Sequence, residues 1–214
     1  IWVLFAFLML TACQGWPVLQ PPPAQGGKSA CPSVFTSLPT RYIHALEART
    51  AGQTRSVMIG VTLVDPRTRR LASAIISPEG LSLFEAASEA GVLNIERAVP
   101  PFDSPEFAKN LMEDIALIFL APAGAIAQQG LSADGRAVCR WHPEKGGWVD
   151  VSESADQQVR IRRYSEGGRL ERTVAVTGGG TYAVISLQAS GLIDYALLMT
   201  LIESETVDEE GKDQ

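Results

Sequence analysis

"SPEFAKNLMEDIALIFLAP", residues 104–122, is the stretch on which the reading of the fold turns. Before and after it apolar residues alternate; within it they recur every third or fourth position. Ser104 suits a helix N-cap, where its side chain accepts from an early backbone amide, and Pro105 suits the first turn, where a missing N–H removes no bond. Phe107, Leu111, Ile115, Ile118 and Phe119 then share one face, with Met112 beside them. Lys109, Asn110, Glu113 and Asp114 read as the solvated side, and adjacent acids on a helix point apart. Pro122 is the expected stop, and "AGAIAQQG" (123–130) reads as a further helical turn or two.

Upstream, period two dominates. "RYIHALEA" (41–48) reads as a first strand with Tyr42, His44, Leu46 and Ala48 on one side, a helix being the competing reading. "SVMIGVTLV" (56–64) places Val57, Ile59, Val61 and Leu63 on one face, with Gly60 leaving room on the other. "DPRT" (65–68) is a turn, "RLASAIIS" (70–77) the return strand, "PEG" (78–80) the next turn, and "LSLFEAAS" (81–88) and "VLNIERAV" (92–99) continue the meander. Downstream, "GRAVCRWH" (135–142), "GWVDVS" (147–152), "QVRIRRYS" (158–165), "RLERTVAVT" (169–177), "TYAVISLQA" (181–189) and "DYALLMTLIE" (194–203) read as strands. The last is apolar on both faces, with Tyr195, Leu197, Met199 and Leu201 opposite Ala196, Leu198 and Ile202.

This order predicts a mainly β protein with some α: an incomplete antiparallel β-barrel, or half-barrel, covered by a central amphipathic helix. The expected cavity lining is Val57, Ile59, Val61, Leu63, Leu83, Phe84, Phe107, Leu111, Ile115, Ile118, Phe119, Leu197 and Met199. Such a cavity could hold an acyl chain, because each buried methylene contributes roughly 0.8 kcal/mol without any charged contact.

The 214 residues suffice for one domain with tails, and 46 % hydrophobic with 20 % charged residues marks a globular chain. A net charge of −6 and scattered basic residues argue against a nucleic-acid partner. The short groups at Arg67–Arg70 and Arg160–Arg163 read as solvated turn or strand faces. His44 and His142 lack a second ligand at metal spacing, so no metal and no cofactor is expected. No nucleophile-elbow, zincin or phosphate-loop motif occurs, and "GGG" (178–180) is a turn, so no catalytic residue is assigned and the chain is not expected to be an enzyme.

Residues 1–12, "IWVLFAFLMLTA", are nearly all apolar and too few to span a bilayer; they fit the core of a secretory signal whose start is expected to lie upstream. Leu10-Thr11-Ala12-Cys13 resembles the lipobox of bacterial lipoproteins. That resemblance implies a diacylglycerol on the Cys13 sulfur, cleavage before it and acylation of the new amine; several acyl chains anchor a protein durably. Gln14, where an Asp would favour inner-membrane retention, suggests the outer membrane. The expected organisation is a signal at 1–12, a lipidated Pro/Gly-rich tether at 13–36 reaching tens of ångströms, one domain at 37–205 and an acidic tail at 206–214. Cys31 and Cys139 could pair in an oxidising compartment.

Two longer runs carry a second resemblance. "MIGVTLVDPRTRRLASAIISPEGLSLFEA" (58–86) and "LNIERAVPPFDSPEFAKNLMEDIALIFL" (93–120) look like an uncharacterised family of bacterial envelope lipoproteins, through Ser77, Pro78, Gly80, Leu81, Leu83 and Phe84; Glu96, Arg97 and Pro100; and Leu111, Asp114, Ile115, Leu117, Ile118 and Phe119. That family is similar to LolB, the receptor that accepts lipoproteins from the carrier LolA. The resemblance implies a monomer, facing the periplasm from the outer membrane, that binds an acyl chain or a lipidated protein and meets a periplasmic carrier, without catalysis. An assembly lipoprotein holding a protein partner in an apolar groove is the alternative. LolB also presents a protruding apolar residue on a loop, and the "SPEG" turn (77–80) offers none.

Overall fold

In the computed structural model the described residues are 17–21, 31–32, 34–50, 53–89, 91–143, 146–154, 156–178, 181–191 and 194–207. The expected signal, Cys13 and residues 208–214 of the tail lie outside them.

Among the described residues there are twelve strands, eleven of them on the period-two segments and β6 on the stretch read as helical: β1 (Thr40–Thr50), β2 (Gln53–Asp65), β3 (Arg70–Ile76), β4 (Ser82–Glu89), β5 (Val92–Ala98), β6 (Ile126–Leu131), β7 (Ala137–Trp141), β8 (Trp148–Glu153), β9 (Val159–Tyr164), β10 (Leu170–Thr177), β11 (Val184–Ala189) and β12 (Tyr195–Thr206). One helix, α1 (Pro105–Phe119), lies between β5 and β6. The strands make a single antiparallel sheet in the order β5-β4-β3-β2-β1-β12-β11-β10-β9-β8-β7-β6. It is open: its edges, β5 and β6, are not paired with each other. Because β1 pairs with β12 in the middle, two meanders are joined along their first and last strands, and the connection carrying α1 must pass from one edge to the other.

The helix begins as its sequence requires. Ser104 Oγ accepts from the Phe107 amide at 3.2 Å, and Leu120 N–H closes the last turn on Ala116 at 2.9 Å. The expected helical continuation at 123–130 is corrected: Gly124 takes a φ of 84°, which ends helical geometry, and Ile126–Leu131 pairs with β7. Gln128, Gln129 and Gly130 give that stretch no apolar helical face, so pairing on an edge is the better use of its backbone.

Register decides which face of each strand is buried, since directly opposed residues share a face. Leu46 opposes Met58, His44 opposes Gly60, Tyr42 opposes Thr62 and Thr40 opposes Val64. All eight are buried, so this is the inner face. The expected phase of β2 is thereby reversed: Val57, Ile59, Val61 and Leu63 point outward, and Val57 is 54 % exposed. Alternation separates two faces without saying which one is covered. The room over Gly60 is taken by Leu46, whose Cδ1 would lie 2.9 Å from an added Cβ.

The start of the described chain belongs to the fold. Gln20 and Leu131 exchange two backbone bonds of 2.8 Å, and the Pro17 carbonyl accepts from Arg140 at 3.0 Å. An added Cβ on Gly130 would fall 2.5 Å from the Gln20 oxygen, so glycine is what lets this strap close on the edge strand. Cys31 is disulfide-bonded to Cys139 with Cα atoms 5.8 Å apart, and Val34 is buried in the core. The described residues 17–21, 31–32 and 34–36, expected in the tether, therefore pack on the sheet.

Candidate functional site

The site lies where α1 meets the inner face of the sheet. Its apolar part is an aromatic cluster under the end of the helix. The Phe119 ring stacks on Tyr42 at 5.0 Å and lies 5.0 Å from Tyr182 and 5.9 Å from His44. Tyr182 meets Tyr42 edge-on at 5.3 Å. Val174, Val176, Ile185 and Leu187 of β10 and β11 are fully buried in the same core. Burial lowers the His44 pKa from its ordinary value, against a 3.3 Å hydrogen bond between Nε2 and the Tyr182 carbonyl.

The polar part was not expected. Along β9 the inward residues run Val159, Ile161, Arg163, and along β10 Val176, Val174, Arg172. The two arginines face each other at one end of otherwise apolar rows. The helix α1 brings an acid to each: Arg172 Nε donates to Asp114 Oδ1 at 2.7 Å, and Arg163 Nη1 donates to Glu113 Oε2 at 3.3 Å, while Glu171 of β10 lies 3.8 Å from Arg163 Nε. The Tyr195 hydroxyl of β12 donates to the other Asp114 oxygen, and the Arg172 guanidinium lies 5.6 Å over the Tyr195 ring. Asp114 is 1 % exposed, so its reading as a solvated residue is corrected, and Glu113 is half-buried. Burial pushes the Asp114 carboxyl above its usual range, while the Tyr195 hydrogen bond and the Arg172 charge pull it back. Burial raises the Tyr195 hydroxyl too, reinforced by the adjacent Asp114 charge. The signal in the sequence was an inward arginine at the end of each alternating run. A charge on a buried face needs a partner, and the helix supplies the only acids in the central connection aimed that way among the described contacts.

Of the expected lining residues, Phe84, Ile115, Ile118, Phe119 and Met199 come together in the buried core. Leu83, Leu111 and Leu197 pack against it, half-buried. Phe107 is 39 % exposed and meets the core through Phe102, edge-on at 5.4 Å. Val57, Ile59, Val61 and Leu63 lie on the opposite face and line nothing with the others. Missed were Tyr42, His44 and Tyr182 as a unit with Phe119, and the Asp114 network. Leu81, directly after the "SPEG" turn, is 65 % exposed, so an apolar side chain does project there.

Two open depressions, of about 490 and 420 Å3, lie on the outer face, one across β9–β11 and one across β3–β5; neither opens under α1. Among the described residues no three His, Cys, Asp or Glu side chains gather to hold a metal ion, and no helix is long and apolar enough to cross a membrane.

A long open antiparallel sheet with one amphipathic helix against its inner face places the chain in the LolA-like class of folds. The particular likeness is to the crystal structure of the LolA superfamily protein NE2245 from Nitrosomonas europaea, with a TM-score of 0.51 over 82 % of this chain and 89 % of that one, at 10 % sequence identity. At that identity the likeness concerns the fold. No protein-family profile and no curated protein matches the sequence.

Proposed function

We propose that this protein is an outer-membrane lipoprotein, held on the periplasmic side through acylated Cys13, that binds or passes on an acyl chain of a lipid or lipidated protein without catalysis. The carrying observation is the apolar inner face of an open twelve-stranded sheet beneath one amphipathic helix, in a fold shared with a LolA superfamily structure. In this reading the sheet is an incomplete barrel and α1 its cover. The inner face is packed by the chain's own side chains, so a ligand enters by displacing α1 and breaking the Asp114–Arg172 pair. A long acyl chain burying about fourteen methylenes gains roughly 11 kcal/mol, set against the loss of that pair and the exposure of Met112, Ile115, Ile118 and Phe119 on α1. The Cys31–Cys139 disulfide fits an oxidising compartment.

Native mass spectrometry of protein extracted gently from membranes, with uptake of a fluorescent fatty acid, tests the reading. Bound lipid and saturable uptake are expected; neither being found would refute it. The alternative, an assembly lipoprotein holding a protein partner, is favoured by the packed inner face and by the apolar outer residues Ile43, Ile59, Val61 and Leu63. It predicts a stably co-purifying protein and no fatty-acid uptake.

A further inference from the structure

The strap at residues 17–21 limits how far the folded part can stand from Cys13. Four residue steps separate Cys13 from Pro17, at most about 14 Å of extended chain. Pro17 is held by Arg140 on β7. Arg140 opposes Asp150 on β8, Asp150 opposes Arg162 on β9, and Arg162 opposes Thr173 on β10, so all four share the outer face. Neighbouring strands are about 4.8 Å apart, which puts Arg162 about 10 Å from Arg140. The anchoring point and the Arg162 face are therefore neighbours.

This face gathers arginine side chains around a depression. The depression of about 490 Å3 is lined by Arg160, Arg162, Gln158, Tyr164, Thr173 and Gln188 among others, and no carboxylate is among its lining residues. Asp150 is engaged by Arg140 through two bonds of 2.6 and 2.7 Å. Arg160 donates to the neutral Gln158 side chain at 3.3 Å, and Arg162 lies near the Tyr164 hydroxyl. A chain with a net charge of −6 thus shows surplus positive charge here. Beside it, the Trp148 ring lies 4.4 Å from His142, tilted by 31°, under the Arg140 guanidinium. Arginine forks match phosphate oxygens, and tryptophan beside basic residues suits the headgroup layer.

We propose that the outer face of β7–β10, centred on Arg160 and Arg162, is the surface on which the anchored chain rests against anionic phospholipid headgroups. The inference rests on the acylation of Cys13 proposed above. Domain and bilayer then lie side by side, and the inner face with α1 is turned away from the membrane.

The test uses the acylated full chain, reconstituted in vesicles of phosphatidylcholine alone or with about 30 % phosphatidylglycerol. Phenylglyoxal modification of each arginine is followed by peptide mass. With phosphatidylglycerol, Arg160 and Arg162 are expected to react at least about fivefold more slowly, the protection vanishing in high salt. Arg97, 59 % exposed on the far edge strand, keeps its rate. Equal rates on both vesicles, with Cys13 shown acylated by intact mass, overturn the docking and leave the anchor standing. A chain whose Cys13 carries no acyl group overturns both. Equal protection by inorganic phosphate on phosphatidylcholine vesicles would assign the site to a free anion and overturn the membrane contact.

Discussion

Replacing Asp114 by Ala isolates what the helix–sheet pair contributes. The Arg172 side chain is 11 % exposed and the Asp114 side chain 2 %, so solvent cannot take over the role of either partner. Removing the carboxylate leaves a buried guanidinium and the Tyr195 hydroxyl without their shared acceptor. Breaking a buried pair in this way costs about 3–5 kcal/mol. For a domain of this size each kcal/mol moves Tm by about 2–4 °C, so Asp114→Ala should lower Tm on the order of 10 °C. The same cost should appear in urea unfolding as a lower midpoint with an unchanged slope. The paired change Asp114→Leu with Arg172→Leu removes both charges and should recover most of the loss, because desolvation of each ion had offset much of their attraction. Glu113→Ala is the internal comparison: that side chain is 42 % exposed, and its loss should cost no more than about 1 kcal/mol. The reasoning fails if Asp114→Ala costs less than about 1 kcal/mol, or if the double variant is as unstable as the sum of the singles.

Three further outcomes follow from the same structure. Gly147 has a φ of 66°, and an added Cβ would lie 1.7 Å from the Tyr164 carbonyl oxygen, so Gly147→Ala must part β8 from β9 at that end; a loss of about 2–4 kcal/mol in urea unfolding is expected, and a neutral variant would contradict the backbone placement. The Cys31–Cys139 bond closes a loop with a sequence separation of 108, so Cys139→Ser should cost about 2–5 kcal/mol, read as the shift in urea midpoint between variant and oxidised protein. His44 has a folded pKa below its ordinary 6.5, so between those two values the unfolded chain binds more protons and stability rises with pH. The raised Asp114 carboxyl acts with the opposite sign, so the test is the difference: on acidification from pH 7.5 to 5 the protein should lose Tm relative to His44→Phe, and parallel profiles would exclude His44 as a source of pH dependence.

Much of the architecture was legible because it depends on local chemistry. Ser104, Pro105 and the spacing from Phe107 to Phe119 specify a helix and its observed start, whereas its end comes at Phe119, before the expected stop at Pro122 and without the further turns expected over 123–130. The alternating runs, separated by Asp-Pro and Glu-Gly turns, specify the strands and their hairpin order. What alternation cannot specify is the phase. Both faces of β2 carry residues able to be buried, and only pairing with β1, whose Tyr42, His44 and Leu46 must lie inward, turned Val57, Ile59, Val61 and Leu63 out.

The polar half of the site was hidden for a related reason. Glu113 and Asp114 belong to a solvated face as long as the helix is considered alone. They become buried ligands once the sheet brings Arg163 and Arg172 beneath them, from residues 50 and 58 positions away. The strap at Pro17 likewise joins Arg140 across 123 positions. The sequence by itself determined the helix, every strand but β6, their order and the apolar character of one helical face, because caps, turns and periodicity act within a few residues. Tertiary structure alone decided which sheet face is inner, which charges are paired and which face carries Arg160 and Arg162, because register and long-range pairing set those, and no local pattern encodes them.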